Sequence, residues 1–203
     1  MAQGWPAVLT DGPVRLRPLR RRDGAAWLAL RAMNTTWLEP WDATSPVPVD
    51  GPRPSFGSFV RMLSAQARSG VSLPFALDHQ GELVGQVTVS SITYGSLRSA
   101  SIGYWLSHHV AGRGIMPTAV ALTIDHCFVA LGLHRVEINI RPENGPSLRV
   151  VDKLGLRDEG VRERFLHIQG QWCDHRTFAL TAEEVPEGVL HRYRARHPAP
   201  PMP

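Results

Sequence analysis

Between an apolar, strand-like run and a helix-like one, the chain reads His108-His109-Val110-Ala111-Gly112-Arg113-Gly114-Ile115-Met116-Pro117. Gly112 and Gly114 carry no Cβ, so the backbone can turn sharply and a ligand can approach the main-chain N–H groups. A helix starting just beyond aims its unpaired N–H groups and the positive end of its dipole at the same spot. That chemistry is anion binding, with phosphate the natural anion. The plainer alternative is a simple strand-to-helix turn. Two familiar phosphate motifs fit poorly. A dinucleotide fingerprint needs a third glycine where Pro117 stands, and a Walker loop needs Gly-Lys-Ser/Thr where the chain has Gly114-Ile115-Met116.

Other reactive residue types carry less. His108 and His109 are adjacent, a spacing that rarely chelates one ion, and no acidic or cysteine partner has ligand spacing, so no metal is expected. Cys173, Asp174 and His175 are consecutive on a strand-like run, where neighbours point to opposite faces. A nucleophilic triad assembles in space rather than in a tripeptide. Cys127 and Cys173 are the only cysteines and suggest neither a disulfide framework nor a zinc site.

The elements that must hold the loop follow from periodicity. Residues 14–19 alternate apolar and basic, as a half-exposed strand does. Asp23 is placed to cap a helix running to Pro40. Residues 42–54 hold four prolines and read as a loop. A second helix spans 55–70, with Phe56, Phe59, Val60 and Leu63 on one face. Strand-like runs at 73–78, 82–92 and 99–106 suggest an antiparallel meander. After the glycine loop a helix carries Val120, Ile124, Phe128 and Leu131 on one face and ends at Gly132. A strand over 134–142, a short helix from Asn144 to Gly155 and two strands around the turn at 168–171 complete the pattern. The order β-α-α-β-β-β-α-β-α-β-β predicts a mixed α/β fold, one sheet with helices packed on it. One domain over 1–196 is expected, with 197–203 a disordered tail.

The chain has 203 residues, 43% hydrophobic and 20% charged, and a formal net charge of +4. These totals describe a soluble globular protein with a proper core. No run reaches the ~20 apolar residues of a membrane span, and residues 1–13 lack the pattern of a secretory signal. The expectation is a cytoplasmic protein, monomer or homodimer, without a DNA or membrane partner. Lys153 is the only lysine, so the cations are nearly all arginine, which suits phosphate. Arg15, Arg17, Arg20, Arg21 and Arg22 form a basic run. It reads either as a strand's wet face leading into a helix or as a grip on RNA phosphates.

"GYWLSHHVAGRGIM" followed about 30 residues later by "RPENGPSLRVVDKLGL" resembles the GNAT acyl-CoA N-acetyltransferase superfamily. More narrowly, the chain is similar to its RimJ/RimL type, which acetylates N-terminal amines of ribosomal proteins. The resemblance covers roughly residues 14 to 180 and implies the GNAT acyl-CoA N-acyltransferase fold with acetyl-CoA as cosubstrate. It implies that main-chain N–H groups from about Ala111 to Met116 cradle the CoA pyrophosphate. His109, Val110, Ala111, Gly112, Arg113 and Gly114 then match the family's loop, with His109 replacing the usual Gln or Arg. Tyr104, Trp105 and Leu106 match the strand whose end splays to admit pantetheine, with an N–H near Leu106 aiding the oxyanion. Asn144 and Ser147 match the Asn-x-x-Ser beside the thioester, where Ser147 could give a proton to the departing sulfur. Glu39 borders the family's substrate groove and is a candidate base through water, or a solvated helix-end carboxylate. Tyr104 is a third catalytic candidate, or simply packing. Trp37 and Trp41 could wall the acceptor site. The preferred acceptor is a protein N-terminus, with ribosome association implied. The alternatives are a small amine such as an amino sugar or polyamine, or a non-catalytic RNA- or ribosome-binding module.

Overall fold

The computed structural model describes residues 4–47 and 54–198. Strands β1 (Leu9–Asp11), β2 (Val14–Pro18), β3 (Leu73–His79), β4 (Glu82–Thr93), β5 (Ser99–Leu106), β6 (Arg135–Ile140), β7 (Arg157–Ile168) and β8 (Gln171–Thr181) form one sheet. Its order is β1-β2-β3-β4-β5-β6-β8-β7. Only the β5–β6 pairing is parallel. Helices α1 (Gly24–Met33), α2 (Thr35–Leu38), α3 (Phe56–Arg68), α4 (Ile115–Val129), α5 (Gly145–Leu154) and α6 (Val189–Arg196) pack around it.

Alternation along β3 shows how the layers divide. Phe75 and Leu77 join the core that includes Val120 and Ile124 of α4, whereas Ala76 faces Val60 and Leu63 of α3. A strand covered on both faces reads as a continuous apolar run, as "LPFAL" does. Helix α4 is buried from Ile115 through Ala121, which explains an apolar character on nearly every side.

The feature that matters for function is a split. β5 and β6 pair only from Ser99–Arg135 to Ser101–Glu137 and then part. β5 stays with β4 as far as Leu106 opposite Gly85. That approach is so close that a Cβ on residue 85 would lie 2.3 Å from the Trp105 carbonyl oxygen, so glycine is required.

Several expectations are corrected. The helix foreseen from 24 to 40 breaks into α1, α2 and a 3-10 turn at Glu39–Trp41. Asn34 sits at the break, buried, and donates to Leu30 O and Ser107 Oγ, both at 2.8 Å. Its own Oδ1 accepts from His108 N at 2.8 Å, so the break ties the helix layer to the glycine loop. Asp23 makes no side-chain cap. Its carboxylate instead takes Arg17 Nη1 at 2.8 Å and Arg20 N at 2.7 Å, while Arg17 Nε donates to Asp78 at 2.7 Å. Arg17 is therefore a buried charge between two carboxylates, not part of a wet face. Strand β1 and helix α6 were not foreseen. His197 stacks on Tyr193 at 4.9 Å between ring centroids, so order continues past 196; residues 199–203 lie outside the described residues. Of the loop expected at 42–54, Thr44 N donates to His167 O at 2.8 Å, and 48–53 lie outside the described residues.

Candidate active site

A cavity of about 390 Å³ opens where β5 leaves β6. Its first wall is the glycine loop. Gly112 and Gly114 have φ of +81° and +77°, the left-handed region that favours glycine. The N–H of Ala111 is already bonded to His108 O at 3.0 Å, which shortens the foreseen cradle by one residue. The N–H groups of Gly112, Arg113, Gly114, Ile115 and Met116 have no hydrogen-bond partner among the described residues. Pro117 has none to offer, and Thr118 N closes the first helical bond to Gly114 O at 3.2 Å. Five free amides at the start of a 15-residue helix make an anion seat.

Not every residue of the loop faces the cavity. Val110 is buried in the core. His109 turns its ring to Ser107 Oγ at 2.8 Å, and Arg113 folds back to His109 O at 3.0 Å. Ala111, Gly112, Gly114, Ile115 and Met116 do line it. Helix α6 supports the loop from behind. Asp125 of α4 accepts from Val189 N at 2.6 Å and Leu190 N at 3.1 Å, capping α6. A Cβ at Gly114 would lie 3.2 Å from the Tyr193 hydroxyl.

The second wall is the start of α5. Asn144 caps it, its side chain accepting from Ser147 N at 3.2 Å. The Ser147 hydroxyl has no partner among the described residues, and Ser147 lines the cavity. Tyr104 donates its hydroxyl to Ser147 O at 3.4 Å. Burial pushes the Tyr104 phenol above its ordinary value, so it stays protonated. Arg149 and Lys153, one turn apart on α5, add positive charge to this end. Strand alternation turns the amide groups of Tyr104 and Leu106 away from β4 and into the split. There Trp37 Nε1 donates to Leu106 O at 3.1 Å.

The third wall closes the opposite end with aromatic and polar groups. Trp37, Trp41, Asp42 and Trp105 line it together with Gln86 and Thr88 from β4. Trp27 Nε1 donates to Gln86 Oε1 at 3.0 Å, and Gln86 Nε2 donates to Thr88 Oγ1 at 3.0 Å. Arg31 pairs with Asp42 and lies over Trp105 at 5.4 Å. Arg141 lies over Trp41 at 5.7 Å. Glu39 is exposed and outside the cavity lining; the carboxylate at the wall is that of Asp42, three residues on. Gln86, Thr88, Asp42, Arg149 and Lys153 were missed. The polar pair two apart inside the apolar "LVGQVTV" was the available signal for Gln86 and Thr88.

Free amides for a diphosphate, a split sheet for an extended arm, and a walled pocket beyond them define an acetyl-CoA-dependent N-acetyltransferase. The chain belongs to the GNAT acetyltransferase family: the family model "Acetyltransferase (GNAT) domain" matches residues 14–157. A probable N-acetyltransferase of Bacillus subtilis, YjcK, is 32% identical over 85% of this chain and 96% of its own. The [ribosomal protein uS5]-alanine N-acetyltransferase of Escherichia coli is 28% identical over 89% of this chain and 93% of its own. Among solved structures, Mycobacterium smegmatis RimJ in complex with CoA-disulfide is 43% identical with a TM-score of 0.90, covering 97% of both chains. Among the described residues no helix is long and apolar enough to cross a membrane, and no group of His, Cys, Asp and Glu could hold a metal ion.

Proposed function

We propose that the chain acetylates the N-terminal α-amine of a protein, in the first place a ribosomal protein. The E. coli relative acts on the alanine of ribosomal protein uS5, which supports that acceptor class. The carrying observation is electrostatic. Asp42 is the only carboxylate lining the cavity among the described residues, and Arg31 neutralises it. Such a site holds no strong base and no anionic trough for a polycation. An α-amine, with a pKa near 7.7–8.0, is roughly a quarter neutral at about pH 7.4. A lysine or polyamine nitrogen near 10.4 is only about a thousandth neutral there. The site therefore favours acceptors that arrive already able to lose their proton to water.

In this reading the free amides from Gly112 to Met116 hold the diphosphate, and the amide groups of Tyr104 and Leu106 align the pantetheine arm. The amine attacks the thioester carbonyl from the tryptophan-walled end. The Leu106 N–H, pointing into the split, stabilises the oxyanion. On collapse the Ser147 hydroxyl passes its proton to the departing thiolate and recovers one through water from the nitrogen of the new amide, with Tyr104 holding the turn that carries it. Glu39, exposed at the rim, takes no direct part. The test is mass spectrometry of peptides incubated with acetyl-CoA. Peptides carrying both a free N-terminus and an internal lysine acquire one acetyl group, at the α-amine. Faster acetylation of spermidine, an amino sugar or the lysine would refute the reading.

A further inference from the structure

On the opposite face of the sheet from α4, an open groove of about 450 Å³ runs between the end of β2 and helix α3. Leu19 and Val60 floor it, and Arg20, Arg21, Arg61 and Arg68 line its sides. Among the described residues none that lines it is acidic. None of the four arginines forms a salt bridge among the described residues; Arg61 has only a bond to Ser58 Oγ, at 2.8 Å. Among the described residues, the nearby carboxylates are committed elsewhere. Asp23 and Asp78 are turned inward onto Arg17, and no Asp or Glu occurs from 54 to 77. Four arginine charges therefore stand along one groove without a carboxylate partner among the described residues.

We propose that this groove is a docking surface for the sugar–phosphate backbone of single-stranded RNA. Arginine presents a planar fork that matches phosphate oxygens in pairs, and it is less strongly hydrated than lysine. Arg61 and Arg68 are seven residues apart on α3, about 10.5 Å along its axis. That reach exceeds one phosphate and calls for a chain of them. Among the described residues the groove has no aromatic lining on which bases could stack, so it contacts backbone and reads no sequence. It is not a second seat for CoA, because the free amides of the glycine loop lie at the start of α4, across the sheet. Its concave form suits a strand laid along it better than a flat lipid surface. The choice of RNA rests on the reading that the acceptor is a ribosomal protein, which is met with RNA around it.

The experiment is fluorescence anisotropy of the full chain with a labelled oligouridylate, at several salt concentrations. Four phosphate contacts give a slope of log K against log salt of about −3 for a single strand. The exposed double variant Arg61→Gln/Arg68→Gln reduces the slope to about −1.5 and weakens binding at low salt at least about tenfold. Its melting temperature and its acetylation of a free peptide stay as in the wild type. No binding at low salt, an unchanged slope in the double variant, or capture by anionic phosphatidylserine vesicles in place of RNA would each overturn the proposal. Loss of peptide acetylation with RNA binding intact would count against the proposed function alone, and the reverse against the groove alone.

Discussion

Replacing Gly112 by glutamate puts the cradle to its hardest test, with Gly112→Ala as the control. A Cβ at residue 112 meets nothing within 4 Å, so either side chain projects into open space without displacing a neighbour. The φ of +81° costs any L residue about 1 kcal/mol of stability. For a chain of this length that lowers Tm by roughly 2–4 °C and leaves the fold intact. Binding is hit far harder by glutamate. A carboxylate about 5 Å from a diphosphate charge, at an effective dielectric near 20, costs about 3 kcal/mol. Disturbing one amide bond to that charge adds roughly 1.5–3 kcal/mol. Solvent screening reduces the total, and the expected loss of CoA affinity is about 100-fold or more. Alanine brings the same backbone cost and no charge, so its loss stays below about tenfold. Isothermal titration with CoA and thermal melts separate the two effects. If the glutamate variant is folded and binds CoA as the wild type does, the diphosphate does not sit on these amides.

Three further outcomes follow from the same geometry. Ser147→Ala lowers kcat by about 100-fold, the scale of a lost general acid, with CoA affinity barely moved; steady-state kinetics beside titration would show an unchanged kcat if the hydroxyl only supports the helix. Arg17→Met leaves Asp23 and Asp78 buried without their shared cation, costing about 3–5 kcal/mol and lowering Tm by roughly 6–20 °C. A melt shifted by less than about 3 °C would mean the cluster relaxes into water. His126 keeps its pKa below the ordinary value because burial disfavours the charged ring, its Nε2 lying 2.9 Å from Gly4 O. The unfolded chain therefore binds the proton first. Its contribution is whole above about pH 6.5 and shrinks as pH falls below that value. Tm of the wild type should fall between about pH 7 and pH 5, and fall less in His126→Gln; equal slopes would show that His126 is not the group concerned.

What the sequence disclosed was local and backbone-made. Two glycines before an apolar helix leave a run of main-chain amides free at its start, and Asn144 three residues ahead of Ser147 gives a capped helix start. Both depend on neighbours within four residues. The opposite wall depends on side chains brought from four separate segments. Gln86 matters because Trp27, 59 residues away, donates to it, and Trp37 matters because Leu106 presents a carbonyl to it. No spacing encodes such pairs. That Asp42 rather than Glu39 lines the cavity has the same root. The chain leaves helical geometry at Asn34 to reach the glycine loop, and that break rotates every later residue of the segment. Arg17 was read as solvent-facing because alternation gives it the same face as the exposed Arg15, without knowing that Asp23 and Asp78 close over it. Helix α6 escaped because "VLHRYRAR" has little apolar periodicity; it is held by the Asp125 cap and by Tyr193.

That unforeseen helix bears on why so bare a loop can bind well. A glycine-rich segment is free to move, and freezing it on a ligand would subtract from affinity. Here the freezing is done before the ligand arrives. Ala111 is tied to His108, Arg113 to His109, Asn34 to His108 from the helix layer, and Gly114 is backed by Tyr193. Each tie uses a group other than the five free amides, so the loop is rigid in its backbone and unsatisfied only toward the cavity. In the proposed reading a diphosphate would complete hydrogen bonds that the fold has already aimed, and its binding energy would go to placing the thioester under the tryptophans rather than to ordering the chain.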